Sequence, residues 1–131
     1  MRRVAATDRP AAVVVLLDVG AVALFVAIGR SVHGHGLSPA GFASTAWPFA
    51  VGLAVGWAVA RRLGPRVAST AAGAIVAIAT VAVGMALRVL AGQGTAVAFV
   101  LVALGFLGAI MVGSRLTWVV ASRRGRRPSP N

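Results

Sequence analysis

Two groups of residues in this chain could do chemistry. One is a carboxylate and a guanidinium placed inside otherwise apolar runs, Asp18 and Arg115. The other is a spacing that occurs twice: "RSVHGHG", Arg30 to Gly36, and "RVLAGQG", Arg88 to Gly94, both read R-x-x-x-G-x-G at an offset of 88 − 30 = 58 residues. An ionised carboxylate in hydrocarbon costs about 2.5 to 3.5 kcal/mol on insertion scales, so it usually faces protein or water and is paired or functional. Two arginines gathered with His33, His35 and Gln93 would suit an anion or a pH-sensitive gate. A metal is not expected, because the H-x-H pair supplies two ligands where zinc usually takes three or four.

Composition says what must position these groups. Hydrophobic residues make up 59% of the 131 and charged residues 11%, against roughly 25% charged in soluble domains. That much apolar surface cannot be hidden in one small soluble domain, so the expected solvent is lipid. A helix needs about 20 apolar residues to cross the hydrocarbon, and four segments qualify, at about 11–32, 39–60, 67–91 and 95–120. The expected fold is all-α: an integral membrane four-helix bundle of two helical hairpins. It is preceded by a short segment, 1–10, and followed by a basic, disordered tail, 121–131. The first span follows "MRR" and contains "AVA", but its apolar run continues beyond that and includes Asp18, so an uncleaved helix is expected rather than a signal peptide.

All thirteen basic residues are arginine. They flank the expected inner ends, at Arg2, Arg3 and Arg9, at Arg61, Arg62 and Arg66, and at Arg123, Arg124, Arg126 and Arg127, whereas Arg30 and Arg88 lie near the outer ends. The positive-inside rule then makes both termini cytoplasmic, in the inner (plasma) membrane of a bacterium. The same charges are expected to meet anionic lipid headgroups rather than nucleic acid. Trp57 and Trp118 fit an inner aromatic belt.

The loops have a bland reading that covers much of the repeat. Gly34 and Gly92 suit the left-handed position past a helix end, an arginine one turn earlier complements the helix dipole, and Ser38 and Thr95 read as N-caps of the returning helices. What remains is a parallel repeat about an axis along the membrane normal, which would bring Arg30, His33, His35, Arg88 and Gln93 together at the outer surface. Depth supplies a partner for the buried acid. Asp18 lies seven residues past Ala11 and Arg115 five before Val120, about 10 and 8 Å from the same inner boundary at 1.5 Å per residue. The pair is either architectural or part of an ion or solute route.

Small residues at helical spacing, Gly52 with Gly56, Gly105 with Ala109 and Gly113, and Gly20 with Ala23 and Ala27, are expected to mediate close helix packing, and they admit a homo-oligomer. Pro48 either bends the second span from inside, sinking Trp47, or begins that helix.

The order of Asp18, "GRSVHG", "TAWPF" and "LRVLAGQGT" resembles the uncharacterised bacterial membrane proteins of the domain of unknown function 3054 family, over about Asp18 to Val120. By that resemblance Asp18, Arg30, His33, Trp47, Pro48, Arg88, Gly94 and Thr95 are family positions, and the family implies a four-helix membrane protein without an assigned activity. The expected function is a small carrier or channel component, with a non-catalytic membrane scaffold or regulator as the alternative. An enzyme is not expected, because the inventory lacks a nucleophile set, a phosphate loop and a carboxylate pair, and no cofactor is implied.

Overall fold

A computed structural model of the chain describes residues 5–126. These residues form four α-helices: α1, Ala5–Val32; α2, Pro39–Leu63; α3, Thr70–Leu90; and α4, Val97–Arg124. Each is long and apolar enough to cross a membrane. The helix ends follow local chemistry. Ser38 and Ser69 cap α2 and α3, their hydroxyls accepting from the Gly41 and Ala72 amides at 3.2 Å, and Gly64 ends α2 at φ 87°, where a residue without Cβ is unstrained.

Several boundaries differ from the sequence expectation. α1 begins at Ala5, inside the segment 1–10 expected to precede the first span. α4 continues to Arg124, so 121–124 of the expected disordered tail are helical, and the rest of that tail from 127 lies outside the described residues. Thr95 is not the N-cap of α4. Ala96 holds that position with extended backbone and no capping side chain. Since 96 − 58 = 38, Ala96 is the repeat partner of Ser38, so the cap follows the register of the repeat rather than the side chain best able to cap.

The helices stand in a ring in which each backbone meets its two neighbours, α1 closing against α4, and among the described residues the diagonal α2 and α4 meet through side chains, the Phe49 and Phe99 rings standing 6.4 Å apart. The closest seam is α2 against α3. A Cβ on Gly52 would lie 2.6 Å from the Thr80 carbonyl oxygen, and one on Gly56 would lie 3.0 Å from the Val76 Cα, so these glycines let two backbones touch. The stripe Gly105, Ala109, Gly113 does not pack inside the chain: a Cβ on Gly105 or Gly113 would meet nothing within 4 Å, and Gly105 and Ala109 are exposed. α4 instead buries Ala103, Leu107, Met111 and Arg115. On α1 likewise Gly20 faces open space while Asp18 is on the buried face. The polar group therefore lies on the packed face, while Gly20 and Gly105 face out and Ala23 and Ala27 are half-buried.

Pro48 lies inside α2, which runs unbroken from Pro39. Trp47 beside it lies eight residues past Pro39 on the outer surface of the bundle, 43% exposed. Toward the end of the bundle that carries the α1–α2 and α3–α4 loops, Phe25 meets Phe49, Phe99 and Phe106 with ring centroids 5.5, 5.5 and 5.8 Å apart.

Candidate functional site

Asp18 and Arg115 form a bidentate ion pair with both side chains fully buried. Arg115 Nη1 donates to Asp18 Oδ1 at 2.8 Å and Nη2 donates to Oδ2 at 2.9 Å. The remaining valences are filled by protein. Trp57 Nε1–H donates to Asp18 Oδ2 at 3.0 Å, Arg115 Nε donates to the Val67 carbonyl at 2.8 Å, and Nη1 also reaches the Met111 carbonyl at 3.0 Å. Gly73 on α3 makes room, since a Cβ there would be 2.7 Å from Arg115 Cδ. One ion pair thus draws on α1, α2, α4 and the α2–α3 connection, with α3 shaped around it. Burying two charges is favourable only when geometry and further hydrogen bonds satisfy both ions, and here they do. A carboxylate held by three donors is anchored in place. Trp57 was not singled out by sequence as a partner. The signal was present in the offset, because 115 − 58 = 57.

The α1–α2 and α3–α4 loops fold alike. In the first, amides of His33, Gly34 and His35 donate to the carbonyls of Gly29, Ser31 and Arg30. In the second, amides of Ala91, Gly92 and Gln93 donate to Leu87, Val89 and Arg88, every position shifted by 58. Gly34, Gly36, Gly92 and Gly94 all have φ between 69° and 74°, which is why both glycines of each motif are needed.

Side chains diverge on this common backbone. Arg30 donates from Nε to the Gly36 carbonyl at 2.9 Å, from Nη2 to the His35 carbonyl at 3.0 Å and from Nη1 to Thr45 Oγ1 at 2.8 Å, tying its loop to α2. Arg88 donates once, from Nη1 to Gln93 Oε1 at 3.1 Å, and its Cζ stands 5.1 Å from the Phe99 ring centroid. Its Nε is buried and has no hydrogen-bond partner. Gln93 Nε2 donates to the Ser44 carbonyl at 3.2 Å. Position 48 would supply that carbonyl's helical partner, and proline has no N–H to give. Gln93 therefore fills the gap that Pro48 opens.

These residues surround one open cavity of about 370 Å³. Arg30, His33, His35, Arg88 and Gln93 line it together with Ser44 and Thr45, over Phe25, Phe49 and Phe99. The His33 and His35 rings lie 6.4 Å apart, both residues exposed. Ser44, Thr45 and the phenylalanines were not foreseen, since nothing in a linear pattern shows which apolar residues will floor a polar pocket. A smaller cavity of about 160 Å³ at the other end touches Trp57, Arg61 and Arg115. The two cavities share no lining residue: Arg115 of the Asp18 pair lines the second, and Leu53, Val81 and Leu107 are buried in the core. Of the other family-like positions, Trp47 lines neither cavity, whereas Gly94 belongs to the second loop.

A family model described as "Protein of unknown function (DUF3054)" matches residues 15–118. No curated protein and no solved structure matches the chain.

Proposed function

The chain belongs to the DUF3054 family, whose description assigns no activity, and from the site itself we propose a four-pass membrane protein that binds an anion in its outward-opening pocket, as the solute-binding element of a small carrier. The observation that carries this reading is the convergence of Arg30, Arg88 and two imidazoles on one cavity with no carboxylate in its lining. The membrane setting is supported by four apolar helices that keep large side chains such as Leu16, Leu101 and Val97 on the outside, at 70%, 64% and 77% exposure. The arginine distribution supports an orientation with both termini inside a bacterial plasma membrane, with Arg61, Arg62, Arg123 and Arg124 meeting anionic headgroups.

An open channel is disfavoured by the packed middle. A carrier would instead have to exchange the outer cavity for the inner one, with the Asp18 pair as the hinge point or the fixed floor. The experiment is thermal unfolding of the purified protein against a panel of inorganic and organic anions, followed by uptake into proteoliposomes of any anion that stabilises it. Gly29 lines the pocket and a Cβ there meets nothing within 4 Å, so Gly29→Phe fills the cavity without a backbone clash. Stabilisation lost in Gly29→Phe supports the reading, and a panel without any stabilising anion overturns it. The scaffold alternative is favoured by one observation, the outward stripe Gly105, Ala109 and Gly113 that no helix of this chain covers. Crosslinking through that stripe to a second copy or a partner, with no anion bound, would select it.

A further inference from the structure

Resting on the anion-binding reading above, we infer that Arg88 is the residue that recognises the ligand and that the ligand is amphipathic: a single carboxylate or phosphate group carried on an apolar body. Arg30 and Arg88 occupy equivalent places in the repeat but are not equally free. Arg30 has all three nitrogens on neutral acceptors, and a Cβ built at Gly41 runs into its guanidinium, so it is wedged between the first loop and α2. Arg88 makes a single hydrogen bond and leaves Nε buried and unused. A buried donor without an acceptor is costly, more so on a charged group.

The protein has little with which to neutralise that charge. The sequence contains two acidic side chains, Asp8 and Asp18. Asp18 is taken by Arg115 in the one ion pair among the described residues. Asp8 lies at the far end of α1, 22 residues from Arg30, or about 33 Å along the axis at 1.5 Å per residue. An oxyanion in the cavity would take the terminal nitrogen of Arg88 that holds no acceptor, and a turn of the guanidinium away from Phe99 would bring Nε beside it, completing the fork that guanidinium offers to carboxylate and phosphate. Beneath it, Phe25, Phe49 and Phe99 present an apolar floor that an inorganic ion would leave unused. A cavity of about 370 Å³ is at the small end of the roughly 300 to 1,000 Å³ of ligand pockets, large enough for a head group with a compact apolar body. A free organic acid and the head of an anionic lipid share this chemistry.

The test is calorimetric titration of the protein in phosphatidylcholine nanodiscs with 2-naphthoate, its neutral analogue 2-naphthylmethanol, and inorganic phosphate, repeated in phosphatidylglycerol nanodiscs. Naphthoate should bind at least about ten-fold more tightly than either control, and Arg88→Gln should weaken it about ten- to a hundred-fold. Should Arg88→Gln fail to accumulate, Arg88→Lys keeps the charge but cannot offer the fork, and should still weaken binding. If the occupant is a lipid head, phosphatidylglycerol will compete with naphthoate in the wild type and not in the Arg88 variant. Without that competition the occupant is a free acid. Wild-type affinity in the Arg88 variants, or equal binding of naphthoate and naphthylmethanol, overturns the inference. Of these, unchanged affinity at Arg88 with binding still blocked by Gly29→Phe leaves the pocket an anion site with another recognising group. No binding of any anion overturns both readings.

Discussion

Trp57 and Arg115 stand 58 residues apart, the offset that separates the α1–α2 and α3–α4 loops, and both donate to the same carboxylate, Asp18. One member of a repeat-related pair supplies charge and the other a neutral N–H. The repeat partner of Asp18 itself is position 76, a valine, so a single acid serves both halves. This asymmetry is what allows one ion pair to sit in a bundle of two similar hairpins without an unpaired twin.

Removing either member should leave a buried, uncompensated ion. Asp18→Ala and Arg115→Ala are each expected to cost about 3 to 5 kcal/mol, measured as the midpoint of denaturant unfolding in micelles. The double variant Asp18→Leu/Arg115→Leu should be more stable than the sum of the two single losses, because removing both charges strands neither. Exchanging the charges should restore accumulation only in part, since Trp57 and the Val67 carbonyl remain where they suit the original order. Strict additivity in the cycle would refute the pairing as the source of stability.

Gln93 and Pro48 should be coupled although they share no direct hydrogen bond. Gln93→Leu removes the side-chain partner of the exposed Ser44 carbonyl and is expected to cost about 0.5 to 1.5 kcal/mol. In a Pro48→Ala background the restored amide takes that carbonyl, and the same Gln93 substitution should cost much less. Equal costs in both backgrounds would show that Gln93 is not the substitute partner.

Glycines of the same helical spacing should respond oppositely. Gly52→Ala and Gly73→Ala push a methyl group against Thr80 and Met111 backbone and should each cost about 1 to 3 kcal/mol. Gly105→Ala faces open space and should be neutral or stabilise by up to about 1 kcal/mol through helix propensity. Loss at Gly105 comparable to that at Gly52 would mean that the outward stripe is covered by another molecule, and chemical crosslinking would then identify it.

Orientation is directly measurable because the sequence contains no cysteine. A single cysteine at His33 should react with a membrane-impermeant maleimide added to intact cells, and one at Ser122 only after permeabilisation. The reverse pattern would invert the proposed topology and put the Arg88 pocket on the cytoplasmic side.

Helix number and the existence of two hairpins were legible in the sequence because crossing hydrocarbon demands long apolar runs, and such runs are local. The Asp18–Arg115 pair was legible for a related reason: a charge in an apolar span must find its opposite, and the chain offers few candidates at that depth. The gathering of Arg30, His33, His35, Arg88 and Gln93 followed from the loop repeat, since glycines at equal spacing impose equal turns. Three-dimensional packing decided the rest. The apolar residues of a lipid-facing surface and of a protein core are the same types, so periodicity did not distinguish Gly52, which touches backbone, from Gly105, which faces out. Nor could spacing show that Trp57 completes the carboxylate, that Gln93 satisfies the carbonyl freed by Pro48, or that Arg30 is consumed by its own loop while Arg88 is not. Those assignments depend on where hydrogen-bonding groups end up across the bundle, and only the folded arrangement of all four helices determines that.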